Sequence, residues 1–137
     1  MSVREQESMD DLLPFPQRND MARLDAQICY LLMCAALVIS LVGVLHSWFF
    51  FFSLILWLCG GGWGWLKKRE ASQTLWEDHF DNIIFVLTLS VFMVPAGSGL
   101  VWYFESWWPL ALLWLWGALR MTLAFYRLVD HRQFHER

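Results

Sequence analysis

Residues 26–66 read AQICYLLMCAALVISLVGVLHSWFFFFSLILWLCGGGWGWL, 41 positions without a Lys, Arg, Asp or Glu. A helix rises about 1.5 Å per residue and the hydrocarbon core of a bilayer is about 30 Å thick, so one crossing uses about 20 residues. The stretch is about twice that length, an excess no helix tilt absorbs. It therefore predicts two spans, Ala26–Leu45 and Trp48–Leu66, joined by a tight turn at His46-Ser47, the only polar pair near its middle.

Outward from that stretch the chain keeps the same character. It is 58% hydrophobic and 17% charged, with ten Trp and eleven Phe; a soluble domain runs at about 45–50% and about 25%. Ten Lys and Arg against thirteen Asp and Glu give a net charge of −3, which excludes nucleic acid as a partner. Three Cys are too few, and an odd number, for a disulfide-stapled module. The uncharged run Asn82–Phe104 is the third span, and Pro95 followed by Gly97-Ser98-Gly99 predicts a kink in it. The fourth, residues 109–129, is interrupted by Arg120. A mid-span Arg costs about 2.5–3.5 kcal/mol. Leu110, Leu112, Leu113, Leu115, Leu119, Leu123 and Phe125 together return roughly 2–4 kcal/mol, so insertion is close to break-even.

Positive charge decides the topology. Arg4, Arg18 and Arg23, then Lys67, Lys68 and Arg69, then Arg127, Arg132 and Arg137 occupy three segments, and the two turns between the spans hold none. Cations gather on the cytoplasmic side, so an even number of crossings separates each basic segment from the next. The expected architecture is an all-α integral membrane protein: four transmembrane helices as two hairpins, both termini cytoplasmic. Trp48, Trp102, Trp107 and Trp108 fall at the outer ends and Trp63, Trp65, Trp76 and Tyr126 near the inner ones, as interfacial rings do, while Trp114 and Trp116 lie deeper, as packing residues. Residues 1–25 are polar and acidic, lack the basic opening of a secretory signal, and are expected to form a disordered cytoplasmic tail or a docking segment. Residues 26–129 form the membrane domain and 130–137 a second short tail.

Arg120 is the leading candidate residue, because hydrocarbon offers a guanidinium no solvation. Pro95 cannot donate to the carbonyl of Val91, which lies nine residues into span three, while Arg120 lies nine residues from Val129. The matched depth predicts that Arg120 donates to the freed Val91 carbonyl with Ser90 as a second acceptor; snorkelling towards the cytoplasmic face is the alternative. Gly60-x-x-x-Gly64 predicts close helix contact, within the chain or between two copies. In the inner connection, His79 among carboxylates, with His131 and His135, is a weak metal-site pattern, set against a solvated loop. Cys29, Cys34 and Cys59 are expected to be structural thiols, and His46 a turn residue. No nucleophile–base pair, phosphate loop or cofactor motif is found, so no enzyme, cofactor or metal is expected.

The Lys67-Lys68-Arg69 exit, the stretch Thr74-Leu75-Trp76-Glu77-x-His79-Phe80 and the closing Phe125-Tyr126-Arg127-Leu128-Val129 resemble a family of small uncharacterised bacterial four-span membrane proteins, distantly like the four-helix membrane domains of a chloroplast protein-import channel. The similarity runs from about Leu24 to Val129, and His79-Phe80 and Arg127 carry its best-matching motifs. The family's Arg-Thr pair early in span three is replaced by Phe85-Val86, with Arg120 as a local substitute for the missing charge. The resemblance implies a multi-pass protein of the bacterial inner membrane and brings no activity. The expected function is a non-enzymatic accessory or assembly partner of a membrane complex, in contact with lipid and with a membrane-protein partner or further copies of itself. The alternatives are a small oligomeric transporter or channel using Arg120, and an immunity-type protein against a membrane toxin.

Overall fold

The computed structural model describes residues 16–130, with side chains from Asn19 onwards. Four helices account for nearly all of them: α1 Pro16–Gly43, α2 Trp48–Ala71, α3 Glu77–Phe104 and α4 Trp108–Val129. All four are long and apolar enough to cross a membrane. Hairpins α1–α2 and α3–α4 close on turns 44–47 and 105–107; α2 packs on α3, α4 returns to α1, and α1 also touches α3 across the ring. The turn end carries residues 44–47 and 105–107; the opposite end, named the basic end for its Lys and Arg, carries Arg23, Lys67–Arg69 and Arg127 among carboxylates that include Asp25, Glu70, Glu77, Asp78 and Asp81.

The helices outrun the uncharged stretches that announce them, because charge ends a span without ending a helix. α1 starts at Pro16, so residues 16–25 are helical rather than part of a disordered tail, and Pro suits a first turn whose amides have no partner; residues 1–15 lie outside the described ones. α2 continues past Leu66 to Ala71, where Lys67 pairs with Glu70 and Ala71 enters the core. α3 begins at Glu77, not Asn82, with Glu77 and Asp78 against the positive end of its dipole. His79 and Phe80 therefore belong to a packed helix and not to a loop, and Arg127 stands in the last turn of α4. The connection 72–76 is tied to its own backbone: Thr74 Oγ1 donates to the Ala71 carbonyl at 2.6 Å, and Gln73, at φ 70°, donates its amide to Glu77 Oε2 at 2.9 Å. Glu105, at φ 53°, ends α3 in the left-handed region. α3 runs through Pro95 as one continuous helix, with the Pro ring on its exposed side.

The core sits at the basic end. Ala22, Ala26, Cys29, Tyr30, Met33, Trp76, Phe80, Ile83, Val86, Met121, Ala124 and Leu128 are all buried there. Trp76, expected as an interfacial ring, is one of them, and Arg23 lies over its face at 5.8 Å. Trp48 and Trp102 at the turn end are 79% and 87% exposed, as aromatic-belt residues would be. α2 is built with its large residues outward: its buried positions are Gly60, Gly61, Gly64 and Ala71, while Phe51, Phe52, Leu54, Leu58 and Trp65 are exposed.

Candidate functional site

A polar chain links three helices inside this core. On α1, Tyr30 is fully buried, and its hydroxyl donates to the backbone carbonyl of His79 at 3.2 Å. The same oxygen accepts from Asn82 Nδ2 at 3.1 Å and lies 3.3 Å from His79 Nδ1. A phenol oxygen has one proton to give and two lone pairs to fill. With the His79 proton on Nδ1, all three contacts are satisfied at once. Asn82 is 2% exposed, and its other amide atom, Oδ1, accepts from Arg120 Nε at 2.7 Å. The two bonds together fix which way the amide faces. The guanidinium of Arg120 also lies 4.7 Å above the Phe85 ring and 5.6 Å from the Trp116 ring, contacts in which the ring faces attract the cation.

Arg120 thus takes a different partner from the one its depth predicts. Ser90 donates to Leu87 O at 2.7 Å and accepts from Trp57 Nε1 at 2.9 Å, while Val91 is exposed. The long side chain reaches towards the basic end, and Asn82 lies two and a half turns nearer that end than Val91. Snorkelling and pairing are combined in one geometry. Tyr30 and Asn82 are the residues sequence reasoning missed. Both are hydrogen-bonding side chains at the edge of an apolar stretch, where they read as boundary markers.

The glycines pack within the chain. A Cβ on Gly60 would lie 2.9 Å from Met33 Cγ and 3.0 Å from the Cys29 carbonyl on α1, and one on Gly64 would lie 2.7 Å from Ile83 Cγ2 on α3. α2 therefore fits into the groove between α1 and α3. Two further hydrogen bonds bolt α1 to its neighbours: Ser53 Oγ donates to Ala36 O at 2.7 Å and Trp114 Nε1 to Ser40 Oγ at 2.9 Å.

At the basic end Lys68 meets Asp81 at 2.6 Å, joining α2 to α3. A small cleft of about 260 Å³ opens between α1 and α2 beside Phe80; Asp25, Lys67 and Glu70 line it, and Asp25 Oδ1 accepts from Trp63 Nε1 at 3.1 Å. No group of three or more metal-ligating side chains occurs among the described residues; His131 and His135 lie outside them. Cys29 is buried, Cys34 half-buried and Cys59 exposed midway along α2. What the arrangement does chemically is hold: the Tyr30 hydroxyl and both ends of the Asn82 amide are engaged in bonds that join helices. No family model, no curated protein and no solved structure matches the chain.

Proposed function

We propose that the chain is a multi-pass protein of a bacterial inner membrane, with the basic end of its four-helix bundle in the cytoplasm, serving as a non-enzymatic accessory or assembly partner of a larger membrane complex. The observation that carries the membrane reading is the outward-facing build of α2, with glycines inside and Phe, Leu and Trp outside. In water that surface forfeits the hydrophobic effect and leaves large apolar side chains along a whole helix uncovered. In hydrocarbon nothing is lost by exposing large apolar groups, and helices associate through close backbone approach and interhelical hydrogen bonds. Gly60, Gly64, Trp57–Ser90 and Trp114–Ser40 supply both.

The accessory role is supported by what the bundle spends its groups on. The polar side chains of its core, Tyr30, Asn82 and Arg120, join helices to one another, and the connections between helices are four, five and three residues long. Over most of its surface, what the bundle offers a partner is an apolar outer face. Affinity isolation of the tagged chain from membranes dissolved in a mild detergent tests this. A reproducible, near-stoichiometric membrane-protein partner is the expected result; a monomer that captures nothing above an untagged control overturns it.

A further inference from the structure

α4 is the helix least able to enter a membrane unaided. Its most apolar 18 residues are less hydropathic than those of α1, α2 or α3, and it carries Arg120 past its midpoint. Such a helix stands near the point where insertion and exclusion balance, and a single polar partner waiting in the membrane tips it. That partner is on the preceding helix. Asn82 Oδ1 accepts from Arg120 Nε at 2.7 Å, and the Phe85 ring, one turn further along α3, lies 4.7 Å from the guanidinium carbon. The acceptor is also held in place by elements that precede α4 in the chain: Asn82 Nδ2 is bonded to Tyr30 of α1, whose hydroxyl is in turn anchored on the His79 carbonyl.

We propose that α4 is a conditional span: it crosses because α1 and α3, already in place, present the Asn82 carbonyl to Arg120. The final crossing, and with it the side on which the segment after Val129 lies, is then set by a tertiary contact and not by the hydropathy of α4 alone. This rests on the membrane reading above. The short turn 105–107 keeps α4 beside α3 while it waits, so the acceptor is met at high effective concentration. Arg127 at the end of α4 favours the same orientation, so loss of the acceptor shifts a balance and does not invert it completely.

The test is glycan-acceptor mapping in microsomes, with an acceptor sequence appended after Arg137, on the wild type and on Asn82→Leu, Asn82→Asp, Arg120→Leu and the double variant Asn82→Leu/Arg120→Leu. In the wild type the acceptor stays on the cytoplasmic side in all but a small fraction of chains, whose glycosylation sets the baseline. Asn82→Leu raises the glycosylated fraction by roughly three- to tenfold, the range an interhelical hydrogen bond corresponds to. Asn82→Asp, which keeps an oxygen for Arg120, stays at the wild-type level, as does Arg120→Leu. The double variant returns to that level because no cation is left to strand. An Asn82→Leu chain glycosylated like the wild type overturns the proposal, as does a double variant that remains as misplaced as Asn82→Leu. Release of the wild-type chain from membranes by alkaline carbonate removes the membrane reading itself, and is read before any variant is compared.

Discussion

Gly60 and Gly62 are two residues apart on one helix and face opposite fates. A methyl group at Gly60 meets the Cys29 backbone oxygen at 3.0 Å, which cannot swing aside, whereas at Gly62 nothing lies within 4 Å. Gly60→Ala is expected to destabilise the bundle by about 1–3 kcal/mol through overpacking. Gly62→Ala should be neutral or stabilising by up to about 1 kcal/mol, since Ala gives up less backbone freedom in a helix. Thermal unfolding in detergent measures both, and equal effects would mean that α1 and α2 do not approach this closely. Tyr30 allows a second comparison. Tyr30→Phe keeps the ring but leaves the Asn82 amide and His79 without their shared oxygen, at an expected cost of about 1–3 kcal/mol. Trp102→Phe, at a ring 87% exposed, should cost nothing measurable. Sequence legibility at this scale follows the strength of the physical signal. Arg120 stands out because a cation in an apolar run has few explanations, and Gly60-x-x-x-Gly64 because only small residues permit close approach. Asn82 and Tyr30 do not, because a neutral hydrogen-bonding residue near the end of a span is as well explained by the interface.

Elements were legible where apolar length is the cause and illegible where capping and packing are. The number of helices and the turn at His46-Ser47 follow from the lengths of the uncharged stretches set against the reach of one helix. The starts at Pro16 and Glu77 do not, since they depend on a Pro in the first turn, on Glu77 and Asp78 against a dipole, and on contacts such as Trp63 with Asp25 that span 38 residues. Between elements, magnitudes separate what holds from what decorates. The Lys68–Asp81 pair is nearly half exposed at both side chains and so contributes at most about 1 kcal/mol. Trp57–Ser90 and Trp114–Ser40 lie between helices and are partly buried there, which limits the competition of water for the bond. A double-mutant cycle on Trp57→Phe and Ser90→Ala should give a coupling of about 0.6 kcal/mol and no more than about 1.7 kcal/mol. A coupling indistinguishable from zero would show that α2 and α3 are held by glycine packing alone.

For the whole molecule, the distinction between exposed to water and exposed to lipid becomes measurable at Cys59. This thiol is exposed and sits at the middle of α2, level with Leu58 and the apolar faces of its neighbours. In a water-soluble bundle it would be the first cysteine to react, ahead of half-buried Cys34 and buried Cys29. In a membrane it lies roughly 15 Å from either interface, half the hydrocarbon thickness. A charged maleimide does not enter there, so the most exposed thiol in the bundle should be unreactive in sealed membranes. Cysteines placed in the connections behave oppositely. Ser47→Cys lies in the turn between α1 and α2, and Ser72→Cys begins the connection between α2 and α3 at the other end of the bundle. Each should label rapidly, and from opposite faces: Ser47→Cys from outside intact cells, Ser72→Cys only after the cells are opened. Denaturing detergent should then bring all three native thiols to the same rate. The pattern is demanding because each site controls for another: the connections show that the reagent works, and the denatured chain shows that Cys59 is intact. Rapid labelling of Cys59 in sealed membranes would mean that water reaches the outer face of α2. The outward-facing Phe, Leu and Trp side chains would then need a protein partner, and not lipid, to cover them.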